Sequence, residues 1–184
     1  LMPQDYEEMA DAVTNGDKTR IKETATAIRN KLNPHPAGQM AHNVPFYKGE
    51  FIHGMQHKYR ETVLFFPREG QTCHAYCTYC FRWAQFIGDD QLKFASRQAG
   101  LLAEYISTKP DVTDILFTGG DPMIMRTNKI ASYIKSVLKV PHLRNIRIGT
   151  KVLAYWPYRF LTDSDSAALI DLFKEVIKAG KHLT

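Results

Sequence analysis

The sequence lacks long hydrophobic runs: no stretch of its 184 residues approaches the roughly twenty consecutive apolar residues that a membrane-spanning helix needs. Its first residues, Leu-Met-Pro-Gln-Asp, contain neither the basic region nor the apolar region of a secretory signal peptide. Its apolar and charged fractions are those of an ordinary globular protein that is long enough to bury one sizeable core. We therefore expect a cytoplasmic protein with no membrane partner.

Clusters of positive charge are also absent. The formal net charge is +5, but the lysines and arginines between Lys18 and Lys31 are scattered singly and interrupted by an acidic residue. A solvated helical face explains this pattern better than a nucleic-acid-binding surface does. A basic surface still raises the encounter rate with small anions such as carboxylates and phosphates.

Cysteine is missing everywhere except in one segment of eight residues, Cys-His-Ala-Tyr-Cys-Thr-Tyr-Cys. Cys73, Cys77 and Cys80 have the spacing C-x-x-x-C-x-x-C. Three thiolates can hold three irons of a cubane cluster and leave the fourth iron with an open coordination position, where a small molecule can receive an electron. A reducing cytoplasm keeps such thiols free to bind metal. We therefore predict that these three cysteines are metal ligands.

Three other interpretations of this segment are less favoured. A disulfide would use two of the thiols and leave the third without a partner. A structural zinc site could be completed by His74, although His74 directly follows Cys73 and zinc sites usually combine two separated pairs of ligands. Cysteines buried as small apolar residues would have no reason to cluster.

Helical and strand-like patterns alternate along most of the chain. Residues 1 to about 32 are predicted to be helical, with Asp17 as an N-cap. Prolines and glycines then interrupt the pattern, which predicts a covering loop up to residue 57. Strands buried on both faces are predicted at 62–67 and 114–118, with further strands at 145–149 and 182–184. The intervening helices are predicted at 96–107, 127–139 and 164–179, the last with Asp163 as its cap and Gly180 at its end.

This alternation implies parallel strands joined by right-handed crossovers, as in a barrel or an open doubly wound sheet. Functional groups collect at the carboxyl ends of the strands in both architectures. Each of the first three predicted strands is followed by a motif: the cysteine loop, then the turn Gly-Gly-Asp-Pro at 119–122, then Gly-Thr-Lys at 149–151. We therefore expect these three motifs on one edge of the sheet. A barrel that ended within its fourth strand would expose unpaired backbone groups, so we expect the chain to be a segment of a longer protein.

Two motifs resemble those of the radical S-adenosylmethionine (radical SAM) superfamily: C-x-x-x-C-x-x-C after the first buried strand and Gly-Gly-Asp-Pro after the second. The fold of that superfamily is a partial (β/α)6 TIM barrel. Within that superfamily, four segments are similar to the lysine 2,3-aminomutase family: Lys58-Tyr59, Cys80-Phe81-Arg82, 114–121 and 146–151. The resemblance implies an α/β fold. Residues 1–57 would form an N-terminal helical segment and covering loop, and residues 58–184 the first half of the barrel.

The resemblance implies that the three cysteines hold a four-iron four-sulfur (4Fe-4S) cluster and that S-adenosylmethionine chelates its open iron. One electron would cleave a carbon–sulfur bond and release a 5′-deoxyadenosyl radical, which abstracts a hydrogen from the substrate. The implied enzyme is an isomerase that moves an amino group between adjacent carbons of an amino acid, with flavodoxin or ferredoxin as the reductant. A homo-oligomer is compatible with this function. The alternatives are a radical enzyme that modifies a protein lysine or RNA, and a structural zinc or electron-transfer iron–sulfur domain.

Four residues are assigned to S-adenosylmethionine through the resemblance. Gly119 and Gly120 would let the backbone approach its methionyl group, and Asp121 would accept a hydrogen bond from its ammonium group. A plain strand-to-helix turn would use the same residues. Tyr79 occupies the position at which family members place a residue against the adenine, although a core aromatic residue would be equally ordinary there.

Arg82 matches the arginine that binds the substrate's carboxylate in the aminomutases, a task that suits a planar guanidinium. The alternative is a surface ion pair with Asp89 or Asp90.

Pyridoxal phosphate is a further cofactor of the family. This chain has Thr62 where the family usually has an arginine for the phosphate, and Lys58 and Tyr59 are the remaining predicted contacts. The lysine that binds this cofactor covalently belongs to a later part of the family, so no residue of this chain itself indicates pyridoxal phosphate.

Overall fold

The structure is a computed structural model and describes residues 2–184. These residues form a mixed α/β fold with seven helices and a five-stranded, mostly parallel sheet. The strands are β1 (Phe46–Tyr47), β2 (Glu50–Phe51), β3 (Met55–Tyr59), β4 (Thr62–Phe65), β5 (Asp114–Phe117), β6 (Asn145–Ile148) and β7 (His182–Leu183). The helices are α1 (Pro3–Thr14), α2 (Lys18–Lys31), α3 (Ala99–Ser107), α4 (Thr127–Leu138), α5 (Val152–Tyr155), α6 (Tyr158–Leu161) and α7 (Ser166–Lys178).

The main sheet has the strand order β3-β4-β5-β6-β7. Strands β4 to β7 are parallel, and Thr62, Asp114 and Asn145 lie side by side at their amino ends. The predicted alternation of strands and helices and the parallel pairing are therefore confirmed. Strand β3 was not predicted, and it pairs antiparallel with β4 at the edge of the sheet.

One face of the sheet carries the core. Val63, Phe65, Ile115, Phe117 and Ile146 are completely buried and pack in one cluster with apolar residues of α3, α4 and α7. The residues that alternate with them in β4 and β5 are only half-buried. The prediction that these strands are buried on both faces is wrong, because α3, α4 and α7 pack in the core cluster with one set of side chains while the alternating set stays half-buried.

The predicted covering loop contains regular structure. Strands β1 and β2 form a hairpin whose two turn residues, Lys48 and Gly49, both have positive φ angles, +51° and +89°. This is the backbone of a type I′ turn, which glycine favours at its second position. Strand β3 begins before residue 57 and continues past it, so it crosses the division placed there from the sequence.

The N-terminal helical segment consists of two helices that pack against each other. The backbone turns at Gly16, where φ is +65°, and α2 then starts at the predicted cap. The side chain of Asp17 accepts hydrogen bonds from the backbone N–H groups of Thr19 and Arg20, both at 3.0 Å. This confirms the N-cap prediction.

The cap predicted for α7 is wrong by two residues. Asp165, not Asp163, occupies the N-cap position, and its carboxylate accepts hydrogen bonds from the Thr127 N–H at 2.6 Å and from Arg159 at 2.8 Å. It therefore joins α4, α6 and α7 instead of capping its own helix. Gly180 follows the helix with a φ angle of +74°, as predicted for its end.

Among residues 2–184, no helix is both long enough and apolar enough to span a membrane.

Candidate functional site

The three predicted motifs meet at the carboxyl ends of neighbouring parallel strands. The backbone N–H of Asp121, after β5, donates to the Thr72 carbonyl at 2.8 Å, directly ahead of the cysteine segment. Thr150 and Lys151, after β6, donate to the Asp121 carboxylate at 2.6 and 2.7 Å. The prediction that the motifs share one edge of the sheet is therefore confirmed.

Asp121 is the centre of this junction. Its side chain is almost completely buried, and its carboxylate accepts hydrogen bonds from the Met123 N–H, the Thr150 hydroxyl and the Lys151 N–H. The carboxylate thus joins its own turn to the loop after β6. This geometry matches the alternative of a plain strand-to-helix turn, and the role of Asp121 as an acceptor for an ammonium group stays a prediction.

Gly119 and Gly120 lie against the chain that leads into the cysteine segment. A Cβ atom on Gly120 would lie 2.5 Å from the Thr72 carbonyl oxygen, and one on Gly119 would lie 2.1 Å from the Gln71 side-chain nitrogen. The backbone of Gly119 also has a φ angle of +134°, which side chains disfavour. In this structure the glycines make room for residues 71 and 72, whereas the expected reason was the approach of a methionyl group.

We expect Gly120→Ala to destabilise the fold by about 1–3 kcal/mol, because the new methyl group would displace the Thr72 backbone. The iron content after reconstitution should fall as well, since Thr72 adjoins Cys73. Thermal unfolding and iron analysis measure the two effects. Gly100→Ala is the matched control, because a Cβ there meets no atom within 4 Å and alanine favours the helix. Equal stability of the two variants would contradict the close packing.

The three cysteines are free thiols, which excludes a disulfide among them in this structure. Cys73 is buried, and Cys77 and Cys80 are half-buried. The Cys80 N–H donates to the Cys77 carbonyl at 3.0 Å. Burial raises the pKa of the Cys80 thiol, and the neighbouring Cys73 and Cys77 raise it further. The thiols are therefore close enough to influence one another.

Within residues 2–184, no group of three or more histidine, cysteine, aspartate or glutamate side chains is arranged to hold a metal ion. This applies to the three thiols and equally to a zinc set completed by His74. The cysteine loop therefore fits an iron–sulfur cluster by its donors, three free thiols in one short segment, and not by a preformed geometry.

Arg82 is not in the predicted surface ion pair. Asp90 pairs with Arg68 and Lys93, at 2.8 and 3.0 Å. The guanidinium carbon of Arg82 lies 4.5 Å from the ring centre of Phe66 and 5.0 Å from that of Phe81. Desolvation lowers the pKa of Arg82 to about 10. The side chain is thus a partly buried cation beside the last cysteine.

The other residues that were predicted to contact cofactors lie at opposite ends of the parallel strands. Tyr79 lies in the cysteine loop, and its side chain is 80% exposed, which excludes the core role. Lys58 and Tyr59 lie at the amino end of β4, where Tyr59 pairs with Thr62. The structure therefore does not bring these two residues to the edge that carries the cysteines.

An aromatic cavity beside the cysteine loop was not predicted from the sequence. It has a volume of about 350 Å³ and is lined by His74, Ile124, Tyr155 and Trp156, among others. The rings of His74 and Tyr155 lie 5.9 Å apart. The signal that could have revealed it is the segment Tyr-Trp-Pro-Tyr at 155–158, which begins six residues after the end of the third predicted strand.

The chain resembles the radical SAM superfamily through two loops that follow neighbouring parallel strands and are joined by a hydrogen bond. One loop contains the three cysteines, and the other contains Gly-Gly-Asp. Within that superfamily, the chain is similar to the lysine 2,3-aminomutases. No family model matches the chain.

Curated relatives from several bacteria share this similarity. The chain is 37% identical over 132 residues to a putative L-lysine 2,3-aminomutase of Aquifex aeolicus, a match that covers 72% of this chain and 34% of the relative. It is 32% identical over 108 residues to the L-lysine 2,3-aminomutase of Acetoanaerobium sticklandii, covering 59% and 25%. It is 33% identical over 107 residues to that of Haemophilus influenzae, covering 58% and 30%. The matches thus span about a third or less of these relatives.

Proposed function

We propose that this chain supplies the cluster-binding part of a radical SAM enzyme of the aminomutase type. The observation that carries the proposal is the hydrogen-bonded junction of the cysteine segment with the Gly-Gly-Asp turn, in a chain similar to lysine 2,3-aminomutases. The parallel strands β4 to β7 would be the first strands of a partial (β/α)6 barrel. The substrate class is an amino acid, and the reductant is a flavodoxin or a ferredoxin.

Cys73, Cys77 and Cys80 would hold the four-iron four-sulfur cluster. When bound, the cluster and S-adenosylmethionine supply a radical that abstracts hydrogen from an unactivated carbon. The residues of this chain position and shelter that chemistry. Asp121 fixes the loops after β5 and β6 against each other, and the two glycines let the turn pack on the start of the cysteine segment. Tyr79 offers an exposed ring for stacking on a nucleobase.

Arg82 is the proposed contact for the carboxylate of the substrate. It follows the last cysteine by two residues, and its guanidinium pairs with no aspartate or glutamate among residues 2–184. A guanidinium whose charge is not neutralised inside the protein can bind an added carboxylate through two parallel hydrogen bonds.

Pyridoxal phosphate stays a prediction that rests on the resemblance to the family, and the two residues assigned to it lie away from the cysteines. Lys58 and Tyr59 lie at the opposite edge of the sheet from the cysteines, and Lys58 lies over the Tyr59 ring at 5.3 Å. No step of the proposed function depends on this cofactor.

The test uses the intact protein, reconstituted without oxygen with iron and sulfide and then reduced. We expect S-adenosylmethionine to change the electron paramagnetic resonance spectrum of the cluster and to be cleaved to 5′-deoxyadenosine. A reduced cluster that leaves S-adenosylmethionine intact would refute the proposal. A protein that binds one zinc ion and no cluster would point to the structural alternative.

A further inference from the structure

Two glutamines from the segment ahead of the parallel strands hold the guanidinium of Arg82. Its Nη1 donates to Gln39 Oε1 at 3.4 Å, and its Nη2 donates to Gln56 Oε1 at 3.3 Å. Gln39 and Gln56 are 5% and 9% exposed, so both amides lie inside the protein. Burial of a polar side chain costs free energy unless its hydrogen bonds are made inside the protein.

The orientation of each amide is fixed by its nitrogen. Gln39 Nε2 donates to the Phe81 carbonyl at 3.1 Å, and Gln56 Nε2 donates to the Gln39 carbonyl at 2.6 Å. The amide oxygens must therefore face Arg82. Glutamate could accept from Arg82 but could not donate to these carbonyls, so both positions require an amide.

The two glutamine acceptors are neutral, and this determines the charge that remains on Arg82. They orient the guanidinium but leave its positive charge in place, whereas a glutamate at either position would neutralise it. The two weak, long hydrogen bonds also occupy only part of the five N–H donors of an arginine. No hydrogen bond to a residue between 2 and 184 occupies the remaining donors, so they can bind an anion.

There is room for such an anion next to Arg82. A cavity of about 350 Å³ is lined by Gln39, Gln56, Phe81 and Arg82 together with His42 and Asn43. Both glutamines and the guanidinium therefore border one space of the size of a small ligand.

We propose that Gln39 and Gln56 are positioning residues, which hold the guanidinium of Arg82 without neutralising it and thereby create the subsite for the carboxylate of an amino acid. This inference rests on the proposed function. It also makes the segment before β4 a part of the substrate site, where the sequence had indicated only a covering loop.

The test compares amino acids with their carboxamides, which lack the negative charge, as ligands of the intact reconstituted protein. The twenty standard L-amino acids are screened by calorimetry, and the tightest ligand is then paired with its amide. We expect the wild-type protein to prefer the acid and Gln56→Glu to weaken binding of the acid by about tenfold or more, with the amide unaffected or bound more tightly. Gln98→Glu is the matched control, because it adds the same charge at an exposed glutamine that does not contact Arg82.

Gln56→Met tests the same point without a new charge, and it decides the matter if Gln56→Glu does not fold. We expect it to weaken acid binding about threefold or more, because it removes one of the two acceptors that orient Arg82. The inference is overturned if no amino acid binds more tightly than its amide, or if the folded variants keep the wild-type ratio of acid to amide affinity. Cleavage of S-adenosylmethionine, measured on the same preparations, separates these outcomes from a failure of the radical enzyme itself.

Discussion

Replacing Cys77 by alanine is expected to abolish the cleavage of S-adenosylmethionine. The cluster requires all three thiolates, because the loop offers no fourth cysteine that could substitute for a missing one. Iron and sulfide should therefore fall to the level of unreconstituted protein, and 5′-deoxyadenosine should not exceed the background. Chromatography of the nucleoside product and chemical analysis of iron and sulfide provide the measurements.

The control for Cys77→Ala is Thr78→Ala, a change at the next residue, which is exposed and carries no thiol. It should keep both the cluster and the cleavage activity. Retention of activity by Cys77→Ala would show that this cysteine is not a ligand. Loss of activity by both variants, in contrast, would mean that the loop conformation and not the thiol was responsible.

The sequence predicted the strands and loops that position this site, because their location depends on local sequence patterns. Apolar runs at 63–66 and 115–117 marked β4 and β5, and turn residues after them marked the edge where the loops meet. Strand direction then followed from the alternation of strands with helices, since parallel strands need crossovers. These signals do not require knowledge of distant residues.

The contacts inside the site could not be predicted in the same way. Gln39 and Arg82 are 43 residues apart, and nothing in the surroundings of a single glutamine indicates that it will face a guanidinium. The burial of Asp121 similarly depends on loops after two different strands. Its turn was recognisable, but the direction of its carboxylate was fixed by donors 29 and 30 residues away. Such roles arise from tertiary packing, which local sequence patterns do not encode.

Asp121→Ala is expected to destabilise the protein by about 1–3 kcal/mol, measured as the free energy of unfolding in urea or guanidinium chloride. Asp121 is 1% exposed and its carboxylate serves three donors, so its removal leaves the buried N–H group of Met123 without an acceptor and also takes the acceptor of the Lys151 N–H group. The loops after β5 and β6 would also lose their link. Asp111→Ala is the control: that aspartate is exposed and pairs only with exposed Arg60, so the change should cost less than about 1 kcal/mol.

The same variant separates the two roles considered for Asp121. If the carboxylate is a structural link, Asp121→Ala should unfold at lower denaturant concentration whether or not S-adenosylmethionine is present. If it instead accepted the ammonium group of that ligand, the ligand-free variant would be as stable as the wild-type protein, and only the affinity for S-adenosylmethionine would fall. Because the buried carboxylate already accepts hydrogen bonds from three protein donors that link two loops, we expect the first result.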